Sequence, residues 1–108
     1  MRKAKRTRLE RSGWKVGTAR EFLGLSDDEA RFLDLKLALA GALRRKRERE
    51  GMSQTALAKL IESSQSRVAK IEAGDRTVTL DLIVRSLLAM GTSPRELARI
   101  ISGAKQAA

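Results

Sequence analysis

Apolar residues recur along the middle of the chain at helical spacing. One stripe holds Phe32, Leu35, Leu39, Ala42 and Leu43, and a second holds Leu33, Leu37 and Ala40. Positions three and four apart share a helix face, so this stretch predicts a long helix that runs from Ser26 to a stop at Gly51. Ser26-Asp27-Asp28-Glu29 has the form of a capping box: the serine accepts a backbone N–H near Glu29, and Glu29 reaches back. The neighbouring carboxylates suit the positive end of the helix dipole. Two apolar faces exceed what one small core needs. The spare face is left for the Trp14 segment, for a dimer partner, or for both.

Shorter periodic stretches follow. Ser53–Ile61 predicts a helix on Ala56, Leu57, Leu60 and Ile61, and Ser64–Ala73 predicts one on Val68, Ala69 and Ile71, stopped by Gly74. Leu80–Met90 is apolar at Leu80, Leu82, Ile83, Leu87, Leu88 and Met90, with Thr79 as N-cap and Gly91 as stop. Ser93-Pro94-Arg95-Glu96 is a second capping box with proline at the first helical position, and it opens a helix through Ser102. Four segments follow: a disordered basic arm at 1–12, a partly ordered packing segment at 13–25, a helical domain at 26–103, and a tail at 104–108. Within 13–25, Thr18–Leu23 reads as a short helix closed by Gly24.

Composition supports an all-α fold. The 108 residues fit one domain, contain one proline, and draw their apolar content from good helix formers rather than aromatics. The formal charge of +10 favours a polyanionic partner, nucleic acid before an anionic membrane. Residues 1–12 carry six Lys/Arg against one Glu, suited to phosphates or a minor groove, or else to a solvated tail.

Absences remove whole classes of chemistry. The chain has no Cys, His or Tyr. Disulfides, thiolate metal sites, the commonest general base and the phenol acid are therefore missing. No paired carboxylates suggest catalysis, so no enzyme, cofactor or metal is expected. No apolar run approaches the ~18–20 residues of a membrane span, and the charged start lacks a signal peptide's apolar stretch. The expected location is cytoplasmic.

The informative segment is Met52–Gly74. Two short helices separated by about three residues can cross at a steep angle. Leu57, Ala58 and Ile61 then face Val68 and Ile71, and the small Ala58 lets the helices approach. With Val68 and Ile71 inward, the second helix shows Gln65, Ser66 and Lys70 outward, with Arg67 at the rim. A glutamine amide can pair with adenine N6 and N7, a lysine can donate to guanine O6 or N7, and serine does either. Gln54 opens the preceding helix, where side chain and helix N-terminus together can hold a phosphate. Ser53 and Ser64 are N-cap candidates that can also donate to phosphate.

At these residues the chain resembles the Cro/phage-repressor, XRE-like class of helix-turn-helix proteins. The resemblance covers about Leu43–Leu97 and rests on Arg47, Gly51-Met52-Ser53-Gln54, Leu57-Ala58, Ser64-Gln65-Ser66, Val68, Ile71-Glu72 and Gly74. It implies a compact five-helix domain with a basic N-terminal arm and a recognition helix at 64–73. It also implies that Gln54 clamps a phosphate, that Gln65, Ser66 and Lys70 face bases, and that Arg47 pairs with Glu72 while aimed at phosphate. Arg67 reads bases or sits at the rim, and Ser64 and Arg76 contact phosphate. The family usually has glycine where Glu62 stands, at a turn whose backbone would need φ > 0, and an apolar residue where Ser63 stands. Here the turn is either slightly strained or differently shaped.

The implied function is sequence-specific binding of double-stranded DNA by a homodimer, as a transcriptional repressor. Upstream, Trp14–Ala19 and Phe22–Ser26 before a long helix resemble antitoxins that neutralise small RelE-like toxins and repress their own operon. That makes a toxin protein the alternative partner. The basic run Arg44–Glu50 reads either as a solvated helix end stabilised by i,i+4 pairs or as a segment lying along phosphate.

Overall fold

Ser26 starts the first helix as its capping chemistry requires. In the computed structural model, which describes residues 24–104, its Oγ accepts the Glu29 N–H and the Glu29 carboxylate accepts the Ser26 N–H at 2.9 Å. Helix α1 then runs Asp27–Arg49. Four more follow: α2 Gln54–Leu60, α3 Gln65–Ala73, α4 Leu80–Ala89 and α5 Pro94–Ala104. No strand occurs among the described residues. Each helix expected within the described residues is present, and α5 continues to Ala104, two residues past the end expected at Ser102. The basic arm, the Trp14 segment and the proposed Thr18–Leu23 helix lie outside the described residues.

Helix α1 is the spine against which α3, α4 and α5 pack, while α2 packs on α3. The core is where their apolar stripes meet: Leu39 and Leu43 of α1, Leu57 of α2, Val68 and Ile71 of α3, and Ile83 and Leu87 of α4, all essentially without solvent exposure. Each such aliphatic side chain stabilises the fold by about 1.5–3 kcal/mol. Ala58 is buried at the α2–α3 crossing. The pair α2–α3 is thereby fixed to the body from beneath, and its outer side is left to solvent.

The two faces expected of α1 part company. Leu39, Ala42 and Leu43 enter the core, but Phe32 at the N-terminal end is 51% exposed. On the second face, Ala40 is buried and Leu37 lies against the α3–α4 connection. A Cβ built on Gly74 would come within 2.7 Å of Leu37 Cδ2. Gly74 also has φ +67°, and with it α3 ends in a Schellman motif: the Gly74 N–H bonds to Ile71 O and the Asp75 N–H to Lys70 O. Part of the spare face is thus filled by this loop.

The α2–α3 turn has the same motif with a different residue at its left-handed position. The Glu62 N–H bonds to Lys59 O and the Ser63 N–H to Ala58 O at 2.7 Å, with Glu62 at φ +55°. The turn thus places a non-glycine residue at positive φ, at a strain of about 1–2 kcal/mol. Ser63 is half-buried beneath it.

Candidate nucleic-acid interface

Helix α3 begins at a serine cap and ends at Gly74, and its helical spacing sorts its residues. Val68 and Ile71 are fully buried, and Gln65, Ser66, Arg67 and Lys70 are exposed. Ser64 Oγ accepts the Arg67 N–H at 3.2 Å and lies 3.3 Å from Ser66 Oγ. Ser64, Ser66, Arg67 and Lys70 border a shallow cleft of about 280 Å³, whose far wall is Thr77 and Val78. Thr77 was not singled out from the sequence. Its N–H and hydroxyl both donate to Asp75 Oδ1, at 2.8 and 2.6 Å. Those bonds hold the Asp75 carboxyl below its usual pKa, with Lys70 and Lys36 adding to the effect. The Asp-x-Thr spacing of an Asx turn was the available signal.

Beneath the exposed face lies a buried ion pair. Arg47 Nε donates to Glu72 Oε2 at 2.5 Å and Nη2 to Glu72 Oε1 at 3.0 Å. Nη1 donates to the Met52 carbonyl at 2.7 Å, while the Met52 N–H bonds back to Arg47 O. The side chains are 11% and 3% exposed. Bonding to Glu72 pushes the Arg47 pKa further up, so the guanidinium stays charged. The expected pair is therefore present, and three of the five guanidinium N–H groups are used inside the protein. The fork faces Glu72 and the α1–α2 connection rather than solvent.

A hydrogen-bonded relay leads from this pair to the surface. Gln54 Nε2 donates to Glu72 Oε1 at 3.1 Å, and Gln65 Nε2 donates to Gln54 Oε1 at 2.6 Å. Its direction is dictated by chemistry: an ionised carboxylate only accepts. Gln54 must turn its NH₂ toward Glu72, so its oxygen faces Gln65, which must in turn present NH₂. Gln65 keeps its carbonyl oxygen and one N–H for an outside partner. Gln65 and Glu72, seven residues apart, share one side of α3, which lets Gln54 bridge them. The sequence marks these residues individually, but their linkage depends on how closely α2 approaches α3.

Arg76 does not join this group. It is exposed and borders a larger groove, about 710 Å³, formed with Leu25, Phe32, Leu33 and Lys36 at the start of α1. Among the described residues no group of three or more His, Cys, Asp or Glu could hold a metal, and no helix is long and apolar enough to cross a membrane.

Residues 43–97, half the chain, match the family model described as helix-turn-helix. The match begins in the second half of α1 and ends in α5, so it spans the relay and the exposed face of α3. No curated protein and no solved structure matches the chain.

Proposed function

Since the chain belongs to the Cro/phage-repressor, XRE-like helix-turn-helix family of DNA-binding transcription regulators, we propose that it is a sequence-specific repressor that reads the major groove with α3. The single observation that carries this reading is the orientation of the Gln65 amide. The relay leaves it one acceptor and one donor outward, the pair that adenine's N6–H₂ and N7 require. Ser66 and Lys70 flank it and supply further base contacts, with Arg67 at the rim. Gln54 keeps one N–H for a phosphate at the start of α2, and Ser64 offers a hydroxyl at the start of α3. Arg47 acts through Glu72 and Gln54, holding the frame rather than touching DNA. Arg76 contributes positive charge from a separate position.

The repressor acts as a homodimer. One recognition helix reads only a few base pairs, and two half-sites about one helical turn apart supply the needed affinity. Selection of bound sequences from random duplex DNA, followed by footprinting, tests both points. The expected result is one enriched motif with two-fold symmetry. Uniform affinity for all sequences, falling steeply with salt, would instead identify a bridging protein that contacts only backbone.

A second reading, an antitoxin that masks a small RelE-like toxin, is favoured by one observation. The groove at the start of α1 is largely apolar, and Phe32 stands half exposed within it. On this reading, co-expression with a toxin encoded next to this chain's gene relieves growth arrest. Phe32→Asp abolishes the relief while leaving operator binding intact. Relief unchanged by Phe32→Asp would remove the groove from that role.

A further inference from the structure

The basic run in the second half of α1 divides between two sides of the helix. At about 100° per residue, Arg45 and Arg49 point away from Arg47. Arg47 turns toward the α2–α3 unit, whereas Arg45 and Arg49 face the side on which α5 packs. Together with Lys46, Thr92, Glu96 and Arg99 they border a cleft of about 290 Å³ between α1 and the start of α5. Four of these six side chains are cations.

Their charges are poorly matched within the protein. Lys46 pairs with Glu50 at 3.6 Å. Arg45, Arg49 and Arg99 have no carboxylate within ion-pair distance among the described residues. The one carboxylate in the wall is Glu96, whose Oε1 accepts the Ser93 N–H at 3.0 Å. That bond, with Lys46 and Arg99 nearby, keeps it ionised. Two further features point to a ligand. Thr92 is 5% exposed, and its Oγ1 is the one buried side-chain polar atom without a partner among the described residues. Such a group costs about 1–3 kcal/mol until satisfied. Gly41, a weak helix former inside α1, also leaves room for a guanidinium, since a Cβ there would lie 3.3 Å from Arg45 Nη1.

We propose that this cleft is a second anion site, across α1 from the recognition helix, which binds a phosphate-type oxyanion between Arg45, Arg49 and Arg99. Guanidinium forks match phosphate oxygens in geometry and charge, and the Thr92 hydroxyl can donate to the same group. Two sources present this chemistry: a free phosphorylated small molecule, or the backbone of a nucleic-acid strand beyond the segment held by α3.

The test uses the full chain and inorganic pyrophosphate, followed by amide chemical shifts and calorimetry at low salt. Saturable shifts are expected at residues 45–49 and 92–99, with binding at least tenfold weaker in Arg45→Gln/Arg99→Gln and unchanged in Arg67→Gln. Both altered arginines are exposed, so the double variant should melt near the parent temperature, which is checked first. Equal binding by the double variant, or equal binding of acetate, overturns the proposal. The source follows from DNA binding without pyrophosphate. A double variant that loses affinity for a 40-base-pair duplex but not for the minimal site identifies a strand contact. Parental affinity for both duplexes, with pyrophosphate altering DNA affinity in the parent alone, identifies a small effector. Parental affinity for both duplexes with no pyrophosphate effect on DNA binding still supports a phosphate site if the shifts and their loss are observed.

Discussion

Two residues at positive φ show how much one side chain can decide. Glu62 occupies the left-handed position of a Schellman turn that glycine fills without strain. Glu62→Gly removes strain of about 1–2 kcal/mol, partly offset by about 0.4–1 kcal/mol of added unfolded-state freedom. Calorimetry should show a melting temperature a few degrees higher; a lower one would mean that Glu62 makes a stabilising contact. Gly74 is the opposite case. Gly74→Ala adds an unfavourable φ and drives a methyl into Leu37, so stability should fall by about 2 kcal/mol. An unchanged denaturation midpoint would contradict the close approach of α1 to the α3–α4 loop. The sequence marked both positions, Gly74 as a stop and Glu62 as a departure from the family. It could not show that Leu37 is what Gly74 accommodates, because that contact joins residues far apart in the chain.

At the scale of elements, the buried Arg47–Glu72 pair ties α1 to α3 while the Met52 carbonyl anchors the entry to α2. Removing one partner leaves a buried charge uncompensated, so Glu72→Ala should cost about 3 kcal/mol in urea denaturation. It also releases Gln54, and base discrimination should weaken beyond what lost stability explains. A loss below about 0.5 kcal/mol would show the pair to be solvated and dispensable. Helix α5 gives a pH signature. Glu96 is held below the usual carboxylate range chiefly by the Ser93 N–H. Its contribution is complete above the unfolded value, about 4.3, and is lost as pH falls through the lower folded value. Glu96→Gln should therefore flatten the acid limb of the stability curve below about pH 4; an identical limb would rule out the cap as its source. The helices themselves were legible, since caps, apolar spacing and glycine stops agree at nearly every boundary. The relay was not, because spacing along one helix says nothing of how near its neighbour comes.

At the scale of the whole molecule, charge and shape are separable. The formal charge is +10, and residues 1–12 hold six Lys/Arg against one Glu. Deleting those residues should lower affinity for every duplex and reduce the slope of log K against log salt, with the melting temperature unchanged. A large fall in melting temperature would make the arm part of the fold. Basic composition pointed to nucleic acid, but not to how the cations divide between the α3 face and the opposite side of α1. That division depends on the direction in which α5 packs.

The most direct test compares Gln65→Ala with the parent on the selected operator and on a scrambled duplex at one salt concentration. The outward amide predicts a loss of about 1–3 kcal/mol on the operator and little on the scrambled sequence. Equal losses on both, or none on either, would contradict it.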